Sequence, residues 1–134
     1  MAVHERIGSG APWEAVVGYS RAVRAGDLIE VAGTTSVGPD GEVRAPGDAG
    51  EQTRLALQTV RQAIEALGAQ VEDVIRTRLC VVDIADWEAV GRAHGEVFAD
   101  IRPAATMVQV AALIDPRMLV EVEATAVVSR TSAG

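Results

Sequence analysis

Residues 118–128 read Met118-Leu119-Val120-Glu121-Val122-Glu123-Ala124-Thr125-Ala126-Val127-Val128. Successive side chains of a β-strand point to opposite faces. Val120, Val122, Ala124, Ala126 and Val128 therefore share one face, and Leu119, Glu121, Glu123, Thr125 and Val127 share the other. The first set is small and apolar throughout, which suits it to lie beneath helices. The second mixes carboxylates with Leu119 and Val127, and two helices cover only one side of a sheet. The uncovered side keeps apolar groups that invite association with further copies of the chain.

Two upstream stretches supply those helices. Ala56, Val60, Ala63, Ile64 and Leu67 recur at spacings of three and four, after a capping residue at Asp48 and before Gly68, which suits a left-handed helix end. Trp87, Val90, His94, Val97 and Phe98 repeat the pattern behind an acidic start at Asp83 or Asp86. Between them, residues 74–82 are rich in β-branched types, with Ile75, Leu79 and Val81 on one face and Arg76, Arg78, Cys80 and Val82 on the other. Residues 19–24 and 28–34 read as a hairpin about Ala25-Gly26-Asp27, and residues 38–47 as a loop. Pro103 separates the second helix from a strand at 106–110, and Asp115-Pro116 turns the chain into the last strand. The order ββαβαββ predicts an α+β fold, a mixed sheet with both helices on one face. Residues 1–134 form one domain, in which residues 1–13 read as an N-terminal arm ordered against a neighbour, with Trp13 as its anchor.

Composition narrows the partners. The 134 residues are 49% hydrophobic and 23% charged, enough apolar material for one core. A net charge of −7 repels phosphate backbones, and 3% aromatic content gives few platforms for stacking bases. Nucleic acid is thereby excluded as a partner. No apolar run approaches the roughly 18 residues that cross a bilayer, and the start of the chain lacks a signal peptide's pattern. A cytoplasmic protein without membrane contact is expected. Cys80 has no second cysteine to pair with, and the two histidines, His4 and His94, make no metal site. Cys80 reads as a buried structural residue and His94 as a packing or boundary residue. Neither a metal nor a cofactor is expected, which leaves small molecules and other subunits.

Four segments together resemble the RidA/YjgF family: residues 18–27 (Gly-Tyr-Ser-Arg-Ala-Val-Arg-Ala-Gly-Asp), residues 52–57 (Gln-Thr-Arg-Leu-Ala-Leu), Arg102-Pro103-Ala104, and residues 119–124 (Leu-Val-Glu-Val-Glu-Ala). The likeness runs from about Gly18 to Val128 in the family's order. It implies a chorismate-mutase-like fold and a homotrimer whose sheets form a central barrel, with small-molecule pockets between subunits. It also implies a deaminase- or hydrolase-like enzyme acting on an imine, enamine or related carbonyl compound by water addition.

The resemblance names site residues and one departure. Family members read R-P-A-R before the penultimate strand, and the second arginine grips a substrate carboxylate. Here that position is Ala105, which offers no polar side chain, so standard 2-iminoacid hydrolysis is not expected. Further departures are Ala32 for a serine and Gly91 for an asparagine. Glu121 matches the glutamate that orients the attacking water and is the catalytic candidate. Tyr19 matches a pocket tyrosine, and Arg21 lies on its strand face, where it supplies the lost charge or serves as an ordinary strand arginine. Gly33 and Met107 offer backbone groups to polarise an electrophile, and Trp87 offers a pocket wall or a hydrophobic anchor. The competing reading is a non-catalytic trimer that binds a metabolite or another protein. Ribonuclease activity, a third reading, is disfavoured by the acidity of the chain.

Overall fold

The structure, a computed structural model, describes residues 4–129. Six strands form one sheet: β1 (Glu5–Ile7), β2 (Ala22–Ala25), β3 (Leu28–Thr34), β4 (Val74–Val81), β5 (Ala104–Gln109) and β6 (Val120–Val127). The helices are α1 (Pro12–Val17), α2 (Ala49–Ala66) and α3 (Trp87–Phe98). Sheet order is β1-β2-β3-β6-β4-β5, antiparallel except for the β4–β5 pair. This is the mixed α+β architecture expected, with one strand and one short helix added at the N-terminal end.

The last strand sits at the heart of the sheet, between β3 and β4. Val120, Val122, Ala124 and Ala126 are all at most 3% exposed, beneath α2. Each buried valine of this kind contributes about 1.5–3 kcal/mol. The α2 stripe of Ala56, Val60, Ala63 and Ile64 meets them from above. Asp48 caps α2 by accepting a hydrogen bond from Glu51 N, and Gly68 closes it at φ 95°.

Gln52 ties this layer together. Fully buried, it donates through Nε2 to the carbonyls of Ala45 and Arg117 and accepts from Leu119 N at 2.8 Å. One amide thus fixes the loop before α2 and the entry to β6. Arg117 reinforces the same corner from outside through Asp115 and Glu42.

Several local expectations change. Ile75 does not share the face of Leu79 and Val81: pairing with β6 shifts register between Val74 and Arg76, and Ile75 is left 52% exposed. Leu119 packs partly against the core instead of adding to the open face. The first hairpin strand begins at Ala22, because residues before it enter from α1. Within the presumed arm, residues 5–7 pair with β2 as an edge strand and Trp13 lies half-buried in α1. Residues 1–3 lie outside the described residues. No helix among the described residues is long and apolar enough to cross a membrane.

Candidate active site

On β6, Glu121 and Glu123 point away from the helices, onto the open face. Glu121 is half-buried, and burial, reinforced by Glu123 two residues on, pushes its carboxyl above the ordinary value while Arg21 pulls the other way. Its seat is made by Gly33. An ideal β carbon on Gly33 would fall 2.6 Å from Glu121 Cδ, so any larger residue there would collide with the carboxylate. The pairing of β3 with β6 is irregular between Val31 and Thr34, the local break that brings Gly33 against Glu121.

Arg21 completes this group. Its backbone donates to Ile7 O and accepts from Ala32 N, continuing the ladder between β1 and β3 just ahead of β2. Its Nη2 donates to Gly33 O at 2.8 Å, and its Cζ lies 5.9 Å from the centroid of the Tyr19 ring. Tyr19, Arg21, Gly33 and Glu121 therefore come together around one strand break.

Met107 and Trp87 do not join them. In the parallel β4–β5 register Met107 pairs with Leu79 and Ala105 with Thr77, and these β4 residues face the helices. Met107 is partly buried against the core, and Trp87 opens α3 with 58% exposure. The sheet itself lies between this second group and Glu121. Met107 and Glu121 thus lie on opposite faces of the sheet within one protomer.

On the helix side of the sheet, Thr77 and His94 form a pair that the sequence pattern did not reveal. His94 Nε2 lies 2.8 Å from the hydroxyl oxygen of Thr77, and Thr77 is fully buried on the central part of β4. Burial holds the imidazole below its ordinary titration range, and its ring lies 4.6 Å from that of Phe98, tilted by 37°. The available signal was Thr77 itself, a polar residue in line with Leu79 and Val81. Gly91 and Gly95 leave open space around His94's helix, since a β carbon at either would meet nothing within 4 Å.

Other candidates resolve simply. Cys80 is buried and free, and burial raises its thiol. No group of three or more metal-ligating side chains occurs among the described residues. A shallow depression on the open face is lined by Glu30, Arg76, Arg78, Glu123 and Thr125, placing acidic groups of β3 and β6 beside basic groups of β4. A wider one, about 210 Å³, lies between α2 and α3 beside the Arg54–Glu96 ion pair and away from Glu121.

Comparison with known proteins settles the relationship that this arrangement suggests. The Endoribonuclease L-PSP family matches residues 9–128. The chain belongs to this family, also called YjgF/RidA. A crystal structure of a YjgF-family protein from Mycobacterium tuberculosis superposes with a TM-score of 0.85 at 46% identity, over 94% of this chain and 100% of that one. An uncharacterized protein of Streptomyces coelicolor is 48% identical over 118 residues, covering 88% of this chain and 87% of that protein. The 3-aminoacrylate deaminase RutC of Acinetobacter baylyi is 32% identical over 108 residues, covering 81% of this chain and 85% of RutC. In this chain Ala105 stands on β5 beside Thr77, Gly91 lies on α3, and Glu121 lies on the open face of β6.

Proposed function

We propose that this YjgF/RidA protein assembles as a homotrimer and adds water to a small imine, enamine or related carbonyl compound at pockets between its subunits. The observation that carries the reading is the Glu121 carboxylate, half-buried against Gly33 with its proton affinity raised by burial. A carboxyl so tuned takes a proton from water more readily at neutral pH than an exposed one. The resulting hydroxide attacks the imine carbon while Glu121 returns the proton to nitrogen, and the carbinolamine collapses to a carbonyl with release of ammonia. Backbone N–H groups near Gly33 and Met107 polarise the electrophile.

Association supports the reading because Glu121 and Met107 lie on opposite faces of one sheet, and a neighbour's edge can bring the second beside the first. The open face has the chemistry for such a contact. Leu28 and Val127 pair there at 41% and 42% exposure, beside the acidic and basic stripes. Relatedness to the A. baylyi deaminase is in line with C–N bond hydrolysis. Ala105 makes a 2-iminoacid a poor substrate in the family's usual orientation.

The test uses freshly generated imines and enamines, with and without a carboxylate. Glu121→Gln is expected to abolish turnover and leave the trimer intact by sedimentation. Equal turnover by variant and wild type would overturn the reading. A second reading, a metabolite-binding trimer without catalysis, is favoured by the loss of a guanidinium at Ala105. It predicts a ligand that stabilises the protein against heat and is recovered unchanged.

A further inference from the structure

Among the described residues, Arg21 Nε is the buried side-chain nitrogen left without a hydrogen-bond partner. Elsewhere on that guanidinium, Nη2 donates to Gly33 O at 2.8 Å, and the Tyr19 ring centroid lies 5.9 Å from Cζ. A buried donor without an acceptor is costly and marks a place where one belongs. Nearby stands the complementary deficit. The Glu121 carboxylate, although half-buried, accepts no hydrogen bond from the described residues, and it rests against Gly33, the residue whose carbonyl Arg21 holds.

We propose that Arg21 is the positioning residue of the Glu121 carboxylate: Nη2 fixes Gly33 and so the seat of the protonated acid, and Nε is a second seat, taken when the acid ionises. A swing of the Glu121 side chain about Gly33 then replaces an unmade hydrogen bond on each partner with one charge-assisted bond. For a group that takes a proton from water and returns it, the two seats separate the two protonation states in space. The proton itself moves between water and Glu121, and Arg21 stays charged throughout.

The surroundings fit this division. Glu123, on the same strand face, opposes ionisation of Glu121, and Arg21 favours it. Across the ladder on β4, Cys80 pairs with Glu121 and Arg78 with Glu123, so Arg78 faces Glu123 directly. On β3, Gly33 and Ala32 bring no titratable group, and Glu30 pairs farther along with Thr125. Arg21 is the cation that acts on Glu121, and it also acts on Glu14 of α1, whose carboxylate is already held by Ser9 and titrates below its ordinary value, apart from the raised Glu121.

The role of Arg21 has meaning for catalysis only through the water-activating reading of Glu121, but its test needs no substrate. The side-chain carboxyl carbon of Glu121 and the Nε–H of Arg21 are followed by NMR across a pH titration of the full chain. The Arg21 Nε–H resonance is expected to move with the Glu121 midpoint. In Arg21→Gln the Glu121 midpoint rises by about one pH unit or more. In Arg21→Lys, which keeps the charge and lacks Nε, it rises by less. A flat Nε–H resonance through the Glu121 titration, or an unshifted midpoint in Arg21→Gln, would overturn the proposal. Should Arg21→Gln fail to fold, the wild-type Nε–H signal decides alone. Coupled titration without imine turnover would uphold the role of Arg21 and sink the enzymatic reading. Turnover that needs Glu121 but shows no coupling would do the reverse.

Discussion

Glu121 occupies the space that a β carbon on Gly33 would fill, with Cδ 2.6 Å and Oε1 2.7 Å from that position. Gly33 has no positive φ, so its backbone would accept alanine, and the obstacle is the carboxylate alone. Gly33→Ala should fold with little loss of stability, because the far end of the Glu121 side chain can move aside. With the acid displaced by about 1 Å, turnover should fall on the order of 100-fold. Thermal melts and turnover assays on the same preparation check both outcomes.

The raised proton affinity of Glu121 gives its effect on stability a definite sign. The folded protein binds this proton more tightly than the unfolded chain, whose carboxyl titrates near 4.5. Stability is therefore lost as pH rises from that value through the folded one. Glu121→Gln removes the ionisation, so it should match or exceed wild-type stability at neutral pH and lose that advantage in acid. Urea midpoints at acidic and neutral pH measure the difference.

His94 works in the opposite sense. Its folded titration is depressed from the ordinary 6.5, so the unfolded chain takes the proton first and stability falls as pH drops through that value. His94→Phe should abolish this acid loss but leave the Thr77 hydroxyl buried without its partner, at a cost of about 1–3 kcal/mol at neutral pH. His94→Gln, which can reach the same hydroxyl, should recover most of it. Unfolding free energies across the pH range separate the two contributions.

Gln52 is a purely structural case. Its side chain makes three hydrogen bonds to backbone groups of two different loops and the start of β6. Gln52→Leu keeps the volume and leaves those groups unsatisfied, so a loss of about 2–4 kcal/mol is expected. Hydrogen exchange at Leu119 N, the amide that loses its acceptor, should quicken before the amides of β4 do.

The alternation of residues 118–128 made the central strand and its helix-covered face legible, because one face is apolar at every position and a strand period of two leaves no second solution. The helices were equally plain, through the Asp48 cap, the Gly68 terminus and the stripes between. What escaped depended on contacts far apart in sequence. Residues 5–7 lack periodicity and become a strand only because β2 offers an edge. Ile75 fits the alternation of its strand, and a register shift set by β6 turns it outward. In the site, strand parity placed Tyr19 and Arg21 together and sent Glu121 away from the helices. The separation of Met107 and Trp87 from that group depends on strand order, which local pattern does not encode.

The proposed site is shared between copies, with Glu121 supplied by one and the Met107 surface by its neighbour. Glu121→Gln disables the first half, and Met107→Trp fills the second. Each variant alone should be inactive on the imine and enamine panel. Unfolded together and refolded as mixed oligomers, they should regain activity, because some interfaces then join an intact Glu121 to an intact Met107. Mixed oligomers that form, as seen by native mass spectrometry, and remain as inactive as either parent would contradict a shared site.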